Sequence, residues 1–355
     1  MLSKCKRWLK SLYIKHRNKK RDKAIVKSNK YNFKYTGKEY AFCKKHGFSI
    51  SEYKLYQLDK NDYRTYISTL ESFYPRYNNG KMTIVSDNKF VFPYILSNYF
   101  RVAKNYAYID NGNIIPVGNS HADKENLIEF LKAHQVVLKP IGGWDGFGIK
   151  RIAFKDGAFF VNNQETTAEK LVDSILGLKE YLMQEVVVQH EYADNLYKDS
   201  LNTIRVISAK QKNGLAHEII CAVQRIGTDA SAPADNFAQG GLSAVIDLET
   251  GILSEGTGAT TFSTEGERVF YSKHPTSGGQ ISGVRVPYWE QIKEKITIFT
   301  QQFPFFQFIA WDIAIGANGE VFAIETNMKS SLDVFQVHGG MKDTKLYDVL
   351  LATKK

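Results

Sequence analysis

The chain has 355 residues, 43% hydrophobic and 24% charged, the composition of an ordinary soluble globular protein with length for two or three domains. No apolar run approaches the ~20 residues that cross a bilayer. Three scattered cysteines, Cys5, Cys43 and Cys221, suit neither a disulfide framework nor a zinc cluster, so a reducing, cytoplasmic setting is expected.

The formal charge of +10 is concentrated at one end: residues 1–30 hold twelve Lys and Arg against Asp22 alone, leaving a nearly neutral body. Within this arm Leu2, Cys5, Trp8, Leu9, Leu12, Tyr13 and His16 fall at helical spacing among lysines and arginines. Such a basic amphipathic helix suits an anionic membrane surface. Charges break it too often for a signal peptide. A solvated tail is the plain alternative, and nucleic acid a competing partner that is not expected. Residues 31–85 are rich in Tyr and Phe, with helical patches at 50–58 and 63–73, and read as a packing domain.

A short β-rich segment at 81–89 leads to a helix expected over Phe90–Phe100, with an Asp or Asn N-cap that leaves Lys89 in the first turn. A lysine at a helix start opposes the dipole unless a phosphate sits there too; otherwise it is a surface lysine. Val136–Ile152 reads VVLKPIGGWDGFGIKRI, a β-run, a glycine loop and a second β-run from Ile149. The loop lacks the Gly-Lys-Ser/Thr of a P-loop, and it leads into a strand where a dinucleotide fingerprint needs a helix. A strand–glycine loop–strand flap over a triphosphate remains, with Lys139 as a point charge. A glycine-rich hairpin with no ligand is the alternative.

A helix is expected over 167–178, then a strand in YLMQEVVVQH that carries Gln184 and Glu185. Arg205 and Arg225 fall on successive strands, followed by the loop Asn236-Phe-Ala-Gln-Gly-Gly. Near the C-terminus, Phe308–Ile315 and Val321–Ile324 flank Asn318-Gly319 and predict a β-hairpin. Glu325 and Asn327 share a face, and the hairpin folds Asp312 beside them. Three oxygen-bearing side chains at one point suit Mg²⁺; solvent-facing acids are the alternative.

In this order of elements the chain resembles the ATP-grasp superfamily over about residues 85–335. The resemblance implies an α/β (α+β) fold with two subdomains clasping ATP. Its divisions would be the arm at 1–30, an N-terminal domain at 31–118, a central subdomain at 119–190, a C-terminal subdomain at 191–347, and a tail. It also implies ATP and Mg²⁺ as cofactors. Gln184 or Glu185 and the Val187 backbone would face adenine, and Glu191 the ribose, with Asp194 as substitute. Lys89, Lys139 and the flap glycines Gly142, Gly143, Gly146 and Gly148 would meet phosphates. Asp312, Glu325 and Asn327 would hold the metal.

The Asn…Gly-Gly loop looks like that of ATP-grasp amino-acid ligases. This likeness places Arg225 and Asn236 at the γ-phosphate or acyl phosphate, and Arg205 on phosphate or a carboxylate. Asn202 departs from the aspartate common three positions before the first arginine. LKPIGGWDGFGI, Gln189-His190, LNTIR, Asp247-Leu248-Glu249-Thr250-Gly251 and HPTSGGQISGVRVPYWEQI are similar to the sugar-transfer-associated ATP-grasp proteins of polysaccharide clusters. His274 and Arg285, with Lys329 and Ser330, are the acceptor-side candidates this implies; an inconsequential loop histidine is the alternative for His274.

The expected chemistry is carboxylate–amine ligation through an acyl phosphate, by positioning and electrostatics without a nucleophilic side chain. A glycan or its sugar precursor would be one substrate, near the inner face of the membrane. A phosphotransferase acting on a glycan hydroxyl and a nucleotide-binding module without turnover are the alternatives.

Overall fold

The computed structural model describes residues 22–73, 79, 83, 88–142, 148–210, 217–328 and 330–352. Most of the basic arm, most of the segment 81–89, flap residues 143–147 with Gly143 and Gly146, and Lys329 lie outside them. The chain divides into two compact units, residues 79–330 and the paired ends 1–78 and 331–355.

The unit built from the chain ends is helical. Helices Gly37–His46 and Ile50–Leu55 each open with a capping box, Thr36 with Glu39 and Ser49 with Glu52, which satisfies two first-turn donors reciprocally. The ends are joined by a side chain that imitates backbone. Gln336 accepts from Ile67 N at 2.7 Å and donates to Ile67 O at 2.9 Å. Tyr31 and Tyr56 both donate to Asp333. Residues 331–347, which the sequence alone groups with the C-terminal subdomain, therefore pack with the N-terminal helices.

The larger unit holds two antiparallel sheets. The first contains β1 (Asn105–Asp110), β2 (Asn113–Pro116), β3 (Val136–Pro140), β4 (Lys150–Lys155), β5 (Ala158–Val161), β6 (Gln164–Thr166) and β7 (Tyr181–Glu185). Their spatial order is β2-β1-β7-β3-β4-β5-β6, so β1 and β2 extend the central sheet although they precede residue 118. Helices Leu127–Ala133 and Ala168–Leu176 cover one face, where Leu127, Leu131, Leu171 and Ile175 meet Val136, Leu138 and Met183. Side chains alternate along a strand, so Val137 and Lys139 point to the other face. Their neighbours Gln184 and Arg151, register partners of Val137, face the same way.

The second sheet contains β8 (Ile204–Lys210), β9 (His217–Ile226), β10 (Leu242–Ile246), β11 (Leu253–Gly258), β12 (Phe308–Ile315) and β13 (Val321–Asn327), in the order β11-β10-β9-β8-β12-β13. Strand β12 is buried throughout. Ile309, Trp311, Ile313 and Ile315 enter the main core with helix Trp289–Gln302; Ala310, Asp312 and Ala314 take the opposite face. Trp311 anchors this core, donating to Ser208 Oγ at 2.9 Å with its ring against Phe100 and Phe299.

Two expected elements are shorter than read. The helix at 90–100 spans only Phe92–Leu96, because Asn88 Oδ1 accepts from Phe90 N and Val91 N and closes a separate turn first. Lys89 therefore precedes the helix. The strand in YLMQEVVVQH ends at Glu185, and residues 186–189 continue without a ladder.

Burial, and then the Asp333 carboxylate, push the Glu52 carboxyl up to about 7 even though Ser49 and Thr69 backbone amides donate to it. Between its ordinary value and 7 the folded protein keeps a proton that the unfolded chain has lost, so stability falls as pH rises through that window. Thermal denaturation from pH 5 to 7.5 should record a loss of roughly 2 kcal/mol. Glu52→Gln should flatten this slope; an unchanged slope would contradict the assignment.

Candidate functional site

A cavity of about 570 Å³ lies between the exposed faces of the two sheets, bounded by Lys89, Val137, Lys139, Arg151, Val186–Val188, Arg225, Asp235, Asn236, Asp312 and Glu325. Apolar side chains, Val102, Ala103, Val137, Ile149, Val186 and Val188, share the lining with polar ones such as Gln184 and Arg151. The charges contributed by the second sheet are set by its geometry.

Arg205 on β8 is the register partner of Asp312 on β12, and Asp312 is the partner of Glu325 on β13. Val223 on β9 sits opposite Arg205, so Arg225, two residues on, shares that face. Four adjacent strands thus present Arg225, Arg205, Asp312 and Glu325 as one row. The alignment needs a bulge. The ladder runs from Ile313↔Ala323 to Asp312↔Glu325, skipping Ile324. Without the skip Asp312 would face Ile324, and Glu325 would follow Val321 and Ala323 towards the core. Bulges re-aim side chains in this way.

Asp312 is 3% exposed. Arg205 forks onto both its oxygens, with NH2 donating to Oδ2 at 2.8 Å, and Arg225 NH1 donates to Oδ2 at 3.1 Å. Burial alone would raise the carboxyl, but Arg205 and Arg225 outweigh it and hold Asp312 below the usual carboxylate range. Lys89 pairs with Glu325 at 3.5 Å. Lys139 is brought down to about 8, first by desolvation and then by Lys89, with Glu325 opposing.

The donor set fits a hard divalent cation. Arg205 and Arg225 fill three of the roughly four acceptor positions of Asp312, leaving one beside Glu325. Asn327, opposite Ala310, shares their face on the strand and carries an amide oxygen, but it is not among the residues that line the cavity. Hard oxygens of this kind suit Mg²⁺ rather than a soft metal. Among the described residues no group of three or more His, Cys, Asp or Glu gathers here or elsewhere, so the set this face offers is two carboxylates and an amide.

The structure separates other candidates from the cavity. Arg205 does not line it; it is turned to Asp312 and to Ser330 Oγ, which accepts at 2.8 Å. Ser330, 1% exposed, thus supports Arg205 rather than facing a substrate. Glu191 sits in the first turn of helix Glu191–Leu196 and is not at the wall, whereas Asp194 is. Gln184 reaches the wall, but its amide donates to Asn105; Glu185 is tied to Arg101 and Lys104 N.

His274 is buried, faces Gly227 O at 2.9 Å through Nε2, and accepts from Thr276 N and Ser277 N. It organises its own loop, and neither it nor Arg285 reaches the cavity. Gly142 has open space around it, while Gly148, at φ +79°, lies where any Cβ would strike the Tyr181 hydroxyl. Asn202 is enclosed by Gln189, Ala193 and Tyr197 and accepts from Gly227 N. An amide, which both donates and accepts, meets those partners better than a carboxylate could.

Arg151, Lys198, Asp199 and Asp235 line the cavity without having been singled out as site residues from the sequence. Period-two alternation from Lys139 and Val137 across the ladder would have found Arg151. Asp235 carried a signal only as the neighbour of Asn236.

No sequence among the curated proteins matches the chain. Among solved structures, the ATP-grasp ligase PsnB, complexed with minimal precursor, Mg and ADP, aligns at TM-score 0.42 and 13% identity over 78% of this chain and 62% of that one. N5-carboxyaminoimidazole synthetase from Staphylococcus aureus, complexed with ADP, gives 0.42 and 10% over 75% and 52%. VanG D-Ala:D-Ser ligase from Enterococcus faecalis gives 0.41 and 10% over 76% and 62%. The chain thus spans less than two thirds of each of these proteins. The model of the sugar-transfer associated ATP-grasp family matches residues 68–348, most of the chain, and with two antiparallel sheets of α+β build around one cavity the protein belongs to that family and has the ATP-grasp fold.

Proposed function

We propose that the protein is an ATP- and Mg²⁺-dependent carboxylate–amine ligase that forms an amide through an acyl phosphate. One observation carries this reading: Lys89, Lys139 and Arg225 converge with Asp312 and Glu325 on a cavity that Val102, Val137 and Val186–Val188 also line. That combination suits a purine at one end and a polyphosphate with its metal at the other.

The residues divide the work by position. Val186, Val187 and Val137 offer apolar side chains for a base, on a segment whose Val188 carbonyl is already held by Ala317 N. Asp194, rather than Glu191, stands at the wall for ribose hydroxyls. Lys89 and Lys139 supply positive charge from two separate chain segments, and Arg225 and Asn236 stand where charge would grow on a transferring phosphoryl group. Asp312 and Glu325, with Asn327, would hold a magnesium ion, which when bound would supply positive charge against the phosphates. The flap glycines, including Gly143 and Gly146, would close over the triphosphate and keep water from the activated carboxylate.

The family's association with sugar transfer supports a glycan or sugar precursor as one substrate, with an amino acid or another small carboxylate or amine as the other. The basic charge of residues 1–30 supports attachment to an anionic surface on the cytoplasmic side. No described helix is long and apolar enough to cross a membrane.

ADP and inorganic phosphate should be released together, and only when both a carboxylate and an amine are supplied. ADP without free phosphate would instead indicate transfer to a hydroxyl. Asp312→Asn and Glu325→Gln, which keep acceptor oxygens for the neighbouring cations, should each lower turnover by roughly a hundredfold or more; a near wild-type rate in either would remove the metal assignment. Because Lys139 titrates near 8, raising pH through that value removes a phosphate partner. Calorimetric ADP affinity should therefore weaken between pH 7 and 9, by up to about tenfold per unit, and Lys139→Arg should abolish the trend. Equal wild-type affinities at pH 7 and 9 would contradict the role of Lys139.

A further inference from the structure

Arg225 stands between two carboxylates, and only one of them belongs to the acids proposed above to hold a metal. Its NH1 donates to Asp312 Oδ2 at 3.1 Å, and its NH2 pairs with Asp235 Oδ1 at 2.5 Å. Asp235 is itself fixed. Its Oδ2 accepts from Thr203 N at 2.7 Å and from the Thr203 hydroxyl at 2.5 Å, and the residue is 4% exposed. Arg225 N donates in turn to Thr203 O, so Thr203, Asp235 and Arg225 form a closed ring of contacts at the end of β9.

We propose that Asp235 is a positioning residue that keeps Arg225 in place when Asp312 turns from the guanidinium to a divalent cation. The proposal rests on the reading of the cavity as a metal–nucleotide site. A guanidinium with Asp312 as its single partner would keep both acceptor positions of Oδ2 filled and leave a cation only the one open position on Oδ1. Once displaced it would be left as an uncompensated charge in a buried site, which is costly. The second carboxylate removes both difficulties. Arg225 stays paired with Asp235, its NH1 is released towards the cavity, and Oδ2 of Asp312 becomes available. Arg205 needs no such partner, because it opposes Asp312 directly across the ladder and is also held by Ser330.

The test is the Mg²⁺ concentration that gives half-maximal ADP binding, measured by calorimetry, which requires no turnover. Asp235→Asn should raise this midpoint roughly tenfold, the scale of one charge-assisted hydrogen bond. Removing a negative charge near a cation also weakens it through the general field, so the change is repeated in an Arg225→Gln background. If Asp235 acts through Arg225, Asp235→Asn has no further effect there; a field effect raises the midpoint by the same factor in both backgrounds and overturns the proposal. Thr203→Val, which loosens Asp235 without removing it, should shift the midpoint in the same direction by a smaller factor and serves if Asp235→Asn does not fold. An unchanged midpoint in the variants overturns the proposal while leaving the nucleotide site standing. Absence of Mg²⁺-dependent ADP binding by the wild-type protein overturns both.

Discussion

The pairing of Asp312 with Arg205 and Arg225 is the contact around which the larger unit is arranged. A carboxylate in the centre of a strand that is otherwise Phe, Ile, Ala and Trp is tolerable only with cations beside it. The sheet supplies them by register: Arg205 directly opposite on β8, and Arg225 two positions from the partner of Arg205 on β9. Removing one member leaves the others as buried charges, so the row is fixed as a unit. The same row places Glu325 next to Asp312, and Lys89 next to Glu325. Charge balance in the folded protein and the site proposed for a charged ligand thus rest on one arrangement.

The opposite wall reaches the cavity by simpler means. On β3 the alternation of Val136 and Leu138 with Val137 and Lys139 sends one pair into the helix-covered core and the other towards the cavity. Lys139 is thereby held in a partly desolvated position with its charge weakened, a state that an arriving anion would reverse. Val186 and Val187 lie beyond the last ladder position of β7, before the chain pairs again where Val188 O accepts from Ala317 N.

Much of this was legible in the residues. The hairpin at 308–327 follows from two apolar runs around Asn318-Gly319, and folding it brings Asp312 near Glu325, although only the bulge sets the two side chains opposite each other. Lys139 before a glycine loop, and two arginines on neighbouring strands, were visible for the same reason: the pattern is local. What was not legible depended on distant pairing. The bulge at Ile324 exists only relative to β12, so the aim of Glu325 could not be read from β13. Arg205 looked like a ligand-binding arginine, and its commitment to Asp312 and Ser330 emerges from a contact across more than a hundred residues. His274 looked polar and exposed in a Gly- and Ser-rich loop, yet its ring is spent on the backbone of its own loop and of Gly227. Gln336, which joins the two ends of the chain through Ile67, carries no local signal at all.

The central claim is that one cavity receives a metal-bound polyphosphate between Asp312 and Glu325 on one wall and Lys139 on the other. Crystals grown with a non-hydrolysable ATP analogue and Mn²⁺ in place of Mg²⁺ test it most directly, because anomalous scattering locates the metal without reference to any assumed ligand. The account predicts a Mn²⁺ peak within coordination distance of both Asp312 and Glu325, with phosphate oxygens contacting Lys89 and Lys139. A peak elsewhere, or a nucleotide that leaves both carboxylates paired only with arginine and lysine, would contradict it.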